Sequence, residues 1–364
     1  MKRFICVVLS ITMLLCTLGY QASACEFESV QPKSVELMSI CDFFRMIYGK
    51  LFELFNPGFI YVEVDEYTDE LFEIPGLDSE FIPQGVCFVE SLNSFAISGY
   101  MPKDKDGNER NSRIYLVDAD TNEAKMFEID SFTGHAGGIA SNGDDIWVSS
   151  GGSQSSNGTV YHLSANYLAS KESGSVVTFD GKFKVETKGS FLYCDSNTLW
   201  VGEFYNDDKD SNKVNESHYY GKNHSLACGY NLPLNVDYSA NEKLAPDIVL
   251  SIPDKVQGMA TTPDGKVIFS SSYGRRNDST LYVFEPFKNW ESTTITIFGK
   301  ENIPLYVSSK DSTVCKIKMP TLMEGIDYHN DKLYIIFESG AIEYSNAKKI
   351  IKNLWETDIN SIIN

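Results

Sequence analysis

The sequence predicts an all-β fold, a five-bladed β-propeller, and three observations carry that prediction. One phrase recurs five times along the chain, pairing a polar residue or glycine with a short apolar strand. Asn, Asp and Gly turns join β-branched and aromatic runs, as hairpins require. An early strand also stands where the last repeat lacks one.

In chain order the first copy opens on Gln84-Gly85-Val86-Cys87-Phe88, turns at Leu92-Asn93 and continues in strands at 95–98 and 113–118. The second opens on His135-Ala136-Gly137-Gly138, turns at Asn142-Gly143 and continues at 146–148 and 159–163. A looser third copy starts at Gly189-Ser190-Phe191, with strands at 199–202 and 226–232. The fourth opens on Gln257-Gly258-Met259, turns at Pro263-Asp264-Gly265 and continues at 267–269 and 281–284. The fifth opens on Glu324-Gly325-Ile326, turns at Asn330-Asp331 and continues at 333–336 and 341–344. The copies start at positions 84, 135, 189, 257 and 324, a variable spacing that suits blades with loops better than solenoid rungs.

A fourth strand is expected before the next phrase at 124–129, 247–252 and 314–319. Residues 71–74 precede Gln84 in the same way, and the fifth copy reads as ending after three strands. An N-terminal strand completing the last blade removes the exposed sheet edge and closes the ring. The alternative is six blades, with the sixth in 287–309, where 295–298 and 305–307 are strand-like but carry no glycine phrase. Flanking helices are expected at both ends. Ser34 caps a stripe of Leu37, Ile40, Phe44, Ile47, Leu51 and Phe55 that Asn56-Pro57-Gly58 stops, and Ile350, Ile351, Leu354, Trp355, Ile359 and Ile362 mark the other.

The expected domains are a signal peptide at 1–24, a helical segment at 25–66, a propeller at 67–346 and a C-terminal helix at 347–364. Lys2 and Arg3, an apolar run over 4–18 and Ala22-Ser23-Ala24 form the export signal, and the run is too short to span a membrane in the mature chain. Cys25 follows directly, so a lipid anchor there is the alternative to full release, giving a secreted or cell-surface protein. Cleavage removes two of the 31 basic residues and leaves 29 against 50 acidic ones, a net charge of −21. Such a polyanion disfavours nucleic acid and anionic lipid as partners. The six remaining cysteines, including Cys87, Cys194, Cys228 and Cys315, show no metal-finger spacing and read as isolated thiols.

In a four-stranded blade, the loop entering the inner strand and the loop joining strands two and three share a face. The first kind carries Gln84, His135, Ser190, Gln257 and Glu324; the second carries Tyr100, Glu203, Tyr205, Tyr273, Arg275 and Glu338, with long polar insertions at 103–111 and 206–223. These residues are expected to converge on the channel mouth around a small polar, glycan- or peptide-derived ligand. His135 and Glu324 are the acid–base candidates, and Arg275 would hold an anionic group. Glu203, Glu324 and Glu338 supply carboxylates for a paired site. The structural alternatives are that the glycines relieve backbone crowding near the axis, that the glutamines satisfy neighbouring blades, and that the carboxylates form a static network with Arg275. A non-catalytic module would instead present Tyr100, Tyr205 and Tyr273 to a glycan or protein. No GxSxG, HExxH or P-loop occurs. For calcium, Asp208, Asp210, Asn212 and Glu216 match four loop positions, but Lys213 replaces the turn glycine and Tyr219 the final glutamate. That segment, like 104–109, reads as a solvated loop.

Taken together, Pro83-Gln84-Gly85-Val86, Gly134-His135-Ala136-Gly137-Gly138, Val256-Gln257-Gly258-Met259, Ser272-Tyr273-Gly274-Arg275 and Phe337-Glu338-Ser339-Gly340 resemble a group of secreted propeller proteins of Gram-positive bacteria. That resemblance spans about residues 70–345 and implies the fold and export, and no activity. Phe81-Ile82-Pro83-Gln84-Gly85-Val86 and Leu281-Tyr282-Val283-Phe284-Glu285-Pro286 are more faintly similar to plant-type glutaminyl cyclotransferases, also five-bladed. The Asn-Glu-Leu-Glu phrase and acidic Gly-Glu-Gly segment of that family are not apparent in this chain.

Overall fold

Five antiparallel sheets stand around one axis, each entered through its innermost strand. The computed structural model describes residues 59–60, 64–151 and 157–363. The expected signal peptide, Cys25 and the helix begun at Ser34 lie outside the described residues. Blade one consists of Ile82–Val89, Ser94–Tyr100, Arg113–Asp118 and Ala124–Ile129. Blade two consists of Ala136–Asn142, Asp145–Ser150, Thr159–Ser164 and Gly181–Lys184, and blade three of Phe191–Cys194, Thr198–Gly202, Ser225–Asn231 and Ile248–Ile252. Blade four is built from Val256–Thr261, Val267–Ser271, Ser279–Phe284 and Thr313–Met319. Blade five has Met323–His329, Lys332–Phe337 and Asn353–Thr357, and Thr68–Glu73 forms its outer strand. The five inner strands neighbour one another in sequence, and the fifth returns to the first.

The end of the chain corrects the sequence expectation. Residues 341–344 are not the third strand of blade five; Ile342–Tyr344 is a 3-10 turn, and Asn353–Thr357 takes the strand position. The C-terminal helix shrinks to Ile359–Ile363. Burial explains the exchange, because Leu354, Trp355 and Thr357 are buried against the sheet while Ile342 is half exposed. Phe59–Ile60, just past the Asn56-Pro57-Gly58 stop, is a short strand parallel to Thr313–Met319.

No sixth blade forms from 287–309. Glu291–Ile297 and Lys300–Val307 make a hairpin inside blade four that pairs in parallel with Ile248–Ile252, widening blade three to six strands. Ser175–Val177 likewise covers the outer strand of blade one. These additions pair backbone groups that open edges would expose. Apolar faces pack between blades: Trp147, Phe183 and Tyr230 fill the space between blades two and three, and Phe269, Ile326 and Trp355 that between four and five. The described cysteines, Cys87, Cys194, Cys228 and Cys315, are all free thiols.

Candidate functional site

The polar residues at the mouth are placed by a backbone irregularity that recurs at the start of the inner strands. In blade one the pairing jumps from Pro83–Gly99 to Gly85–Ser98, so Gln84 is the extra residue of a β-bulge. Equivalent jumps leave out Gly137 in blade two, Gln257 in blade four and Glu324-Gly325 in blade five. A bulge turns its extra residue out of the pleat, here toward the axis. The glycine that follows is required by crowding: a Cβ on Gly138 would stand 2.2 Å from Leu192 N, and one on Gly325 2.8 Å from Gln84 O. Between blades, Ser98 Oγ donates to Ala136 O at 3.0 Å and Ser270 Oγ to Glu324 O at 2.7 Å, fixing the bulges in place.

Blade two departs from the expected alignment. Its bulge position is Gly137, which has no side chain, and His135 lies two residues earlier. The His135 ring stacks on Tyr100, with centroids 4.0 Å apart. It reaches open space, yet the surrounding protein desolvates it and lowers its pKa.

A cavity of about 760 Å³ opens at this mouth. Of the eleven residues singled out from the sequence, Gln84, Tyr100, His135, Ser190, Gln257, Tyr273, Arg275, Glu324 and Glu338 line it. At its centre Glu324 and Glu338, 3 % and 7 % exposed, hydrogen-bond to each other. Gln257 Nε2 donates to Glu324 Oε1 at 2.9 Å, and Gln84 Nε2 to Glu338 Oε2 at 3.1 Å. Burial, then the neighbouring carboxylate, pushes Glu324 well above the ordinary carboxyl range, and burial lifts Glu338 to about 7. The pair therefore retains one proton near neutrality, as closely spaced carboxyls do. Contact this close is too short for the carboxyl separations that glycosidases need, roughly 5 Å or more.

Tyr344, at a position expected to be a strand, completes the network. Its hydroxyl hydrogen-bonds to Glu338 and to Tyr100, and burial raises the Tyr100 pKa to about 12. Its position follows from the corrected end of blade five: the 3-10 turns after Lys332–Phe337 fold back over the mouth. The sequence signal was the β-rich stretch Leu354-Trp355, which competes for the third strand and frees residues 341–344.

Arg275 does not present a free guanidinium. Its Nη1 donates to Glu343 O at 2.8 Å and Asn346 Oδ1 at 3.0 Å, its Nη2 to Glu343 Oε1 at 2.6 Å, and it stacks 4.7 Å above the Tyr344 ring. It thus braces Tyr344 over the carboxyl pair. Two other expectations are corrected outright. Glu203 is 1 % exposed and turned away from the cavity; its Oε1 accepts from Leu226 N at 3.1 Å and pairs with His218 Nδ1 at 2.7 Å. His218 Nε2 meets Glu186 at 3.2 Å. Although burial opposes the charge, the two glutamates outweigh it and raise the His218 pKa to about 9. The triad pins the 206–223 insertion to blade three. Tyr205 is buried against His224, with rings 4.6 Å apart, and lines no part of the mouth. In the calcium candidate, Asp210 pairs with Lys213 at 2.8 Å, and in the companion loop Asp104 accepts from Asp106 N and Asn108 N. Lys188, Phe204 and Lys209, which no repeated phrase marks, also line the cavity from the blade three side.

No protein-family model matches the chain, and no curated protein matches it. Among solved structures it is similar to the glutaminyl cyclase of Myxococcus xanthus, with 9% identity and a TM-score of 0.42 over 79% of this chain and 94% of that one. It is also similar to the PQQ-bound aldose sugar dehydrogenase of Streptomyces coelicolor, with 12% identity and a TM-score of 0.39 over 74% and 78% of the two chains. Both similarities are distant.

Proposed function

We propose that the protein is an exported propeller that binds a small polar ligand at the channel mouth and moves protons on it with the Glu324–Glu338 pair. The observation that carries this reading is the buried carboxyl pair itself. Two acids that share a proton near neutral pH, facing a cavity, supply a general acid and a general base in one place. Gln84 and Gln257 hold the two carboxyls in register, Tyr344 donates to Glu338, and neutral His135 is a second proton acceptor beside Tyr100. Export rests on residues 1–24, with Cys25 as the site of a lipid if one is attached. Among the described residues no helix is long and apolar enough to cross a membrane.

A second reading is favoured by the aromatic wall of Tyr100, Phe204, Tyr273 and Tyr344, which suits a glycan- or protein-binding module without turnover. One experiment separates the two. The purified protein is incubated with small sugars, amides and lactones, and substrate loss is followed beside Glu338→Gln and Glu324→Gln variants. The acid–base reading expects turnover that either variant lowers by about 10²–10⁴-fold. Turnover unchanged in both variants, or tight binding with no turnover, overturns it.

A further inference from the structure

We propose that the mouth cavity takes its ligand through a carboxylate, and that Lys188 is the residue that holds it. This rests on the proposed function for the place of the site and adds the charge of the ligand. Arg275, the expected holder of an anion, has its guanidinium already engaged by Glu343, Asn346 and the Tyr344 ring.

Lys188 lies just before the inner strand of blade three, two blades from Glu324 and therefore across the mouth from it. The residue is 7 % exposed and lines the cavity. Its Nζ donates to Ser211 O at 2.9 Å, and among the described residues that is the one acceptor it has. An ammonium carries three donors, so two remain for a ligand. Glu203, the nearby carboxylate whose charge favours the Lys188 ammonium, has its Oε1 engaged by His218 and Leu226 N, and among the described residues it makes no hydrogen bond to Lys188. A desolvated cation short of acceptors gains most from an anionic oxygen.

Charge around the cavity points the same way. The chain carries 50 acidic residues against 31 basic ones, yet Lys188 and Lys209 line this cavity beside a carboxyl pair that retains a proton, while Arg275 is balanced by Glu343. A local positive field inside a polyanion selects small anions at that place. The ligand that fits has a carboxylate at Lys188 and a hydroxyl or amide at Glu324 and Glu338. A sugar acid and the C-terminus of a short peptide both offer this chemistry.

The test is calorimetric titration of the whole protein at pH 7 with four probes: D-glucuronate, D-glucose, N-acetyl-glycylglycine and its C-terminal amide. We expect at least one acid to bind about tenfold or more tightly than its neutral counterpart, a difference of about 1.4 kcal/mol. Whichever acid does so identifies the source of the carboxylate. Lys188→Met should erase that preference, whereas Lys105→Met, which removes the same charge from an exposed loop, should keep it. If Lys188→Met does not fold, Lys188→Gln serves with the same expected loss. Equal affinities for acid and neutral probes, no binding in the millimolar range, or a preference that survives loss of Lys188 overturns the assignment. A retained carboxylate preference without turnover would remove the acid–base reading and leave this one standing.

Discussion

Glu324 and Glu338 make the stability of the protein depend on pH. In the folded chain the pair holds a proton that the unfolded chain releases above roughly pH 4.3. A raised carboxyl pKa means the native state binds more protons than the unfolded one, so stability falls as pH rises from there through about 7. Glu338→Gln removes Glu338's share of that penalty. It should unfold later than the parent chain at pH 8, by about 1–3 kcal/mol, and lose the advantage at pH 4. Urea melts at the two pH values check this; an equal effect at both would mean that the pair is not protonated as described. Which residues belong to the site was half legible at this scale. Gln84, Gln257 and Glu324 each precede a glycine in a repeated phrase, and a repeat exposes its own odd positions. Glu203 could not be separated from Glu338 because both follow a second strand, and only the partner His218, far along an insertion, decides which one turns inward.

The working element is the bulged start of the inner strand. It accounts both for the polar side chains at the mouth and for the glycines beside them, so one backbone irregularity explains the crowding near the axis and the polar mouth together. Gly325→Ala places a methyl group 2.8 Å from Gln84 O and 2.9 Å from Gly85 Cα, both backbone atoms that cannot move alone. It should cost about 1–3 kcal/mol in thermal or urea unfolding and displace Glu324 as well. A neutral effect would show that the blade five and blade one backbones do not meet at this distance. Hairpins were legible because turn chemistry and alternation are local. The third strand of blade five was not, since residues 341–344 and 353–357 are both β-prone and the choice between them depends on which one buries its apolar face.

For the whole molecule, the ring depends on a strand brought from the other end of the sequence. Thr68–Glu73 pairs with Asn353–Thr357, so blade five mixes both ends of the described chain. Ending the chain at residue 352 removes the third strand and leaves the outer one without a partner. Such a variant should lose cooperative unfolding and expose apolar surface, read by dye binding and a broadened melt. A sharp melt near that of the full chain would overturn this account of ring closure.

Five copies of one phrase, their turns and an early strand were enough for the chain to specify the number of blades and the face on which its polar residues gather, because repeats and hairpins are encoded within a few residues of each other. The tertiary structure alone decided that Tyr344 caps the carboxyl pair, that Arg275 is bound while Lys188 lines the cavity on Ser211 O, and that Glu203 belongs to a buried triad. Those outcomes are settled by competition among groups distant in sequence for the same buried space and the same hydrogen-bond partners, and one-dimensional spacing holds no record of who wins.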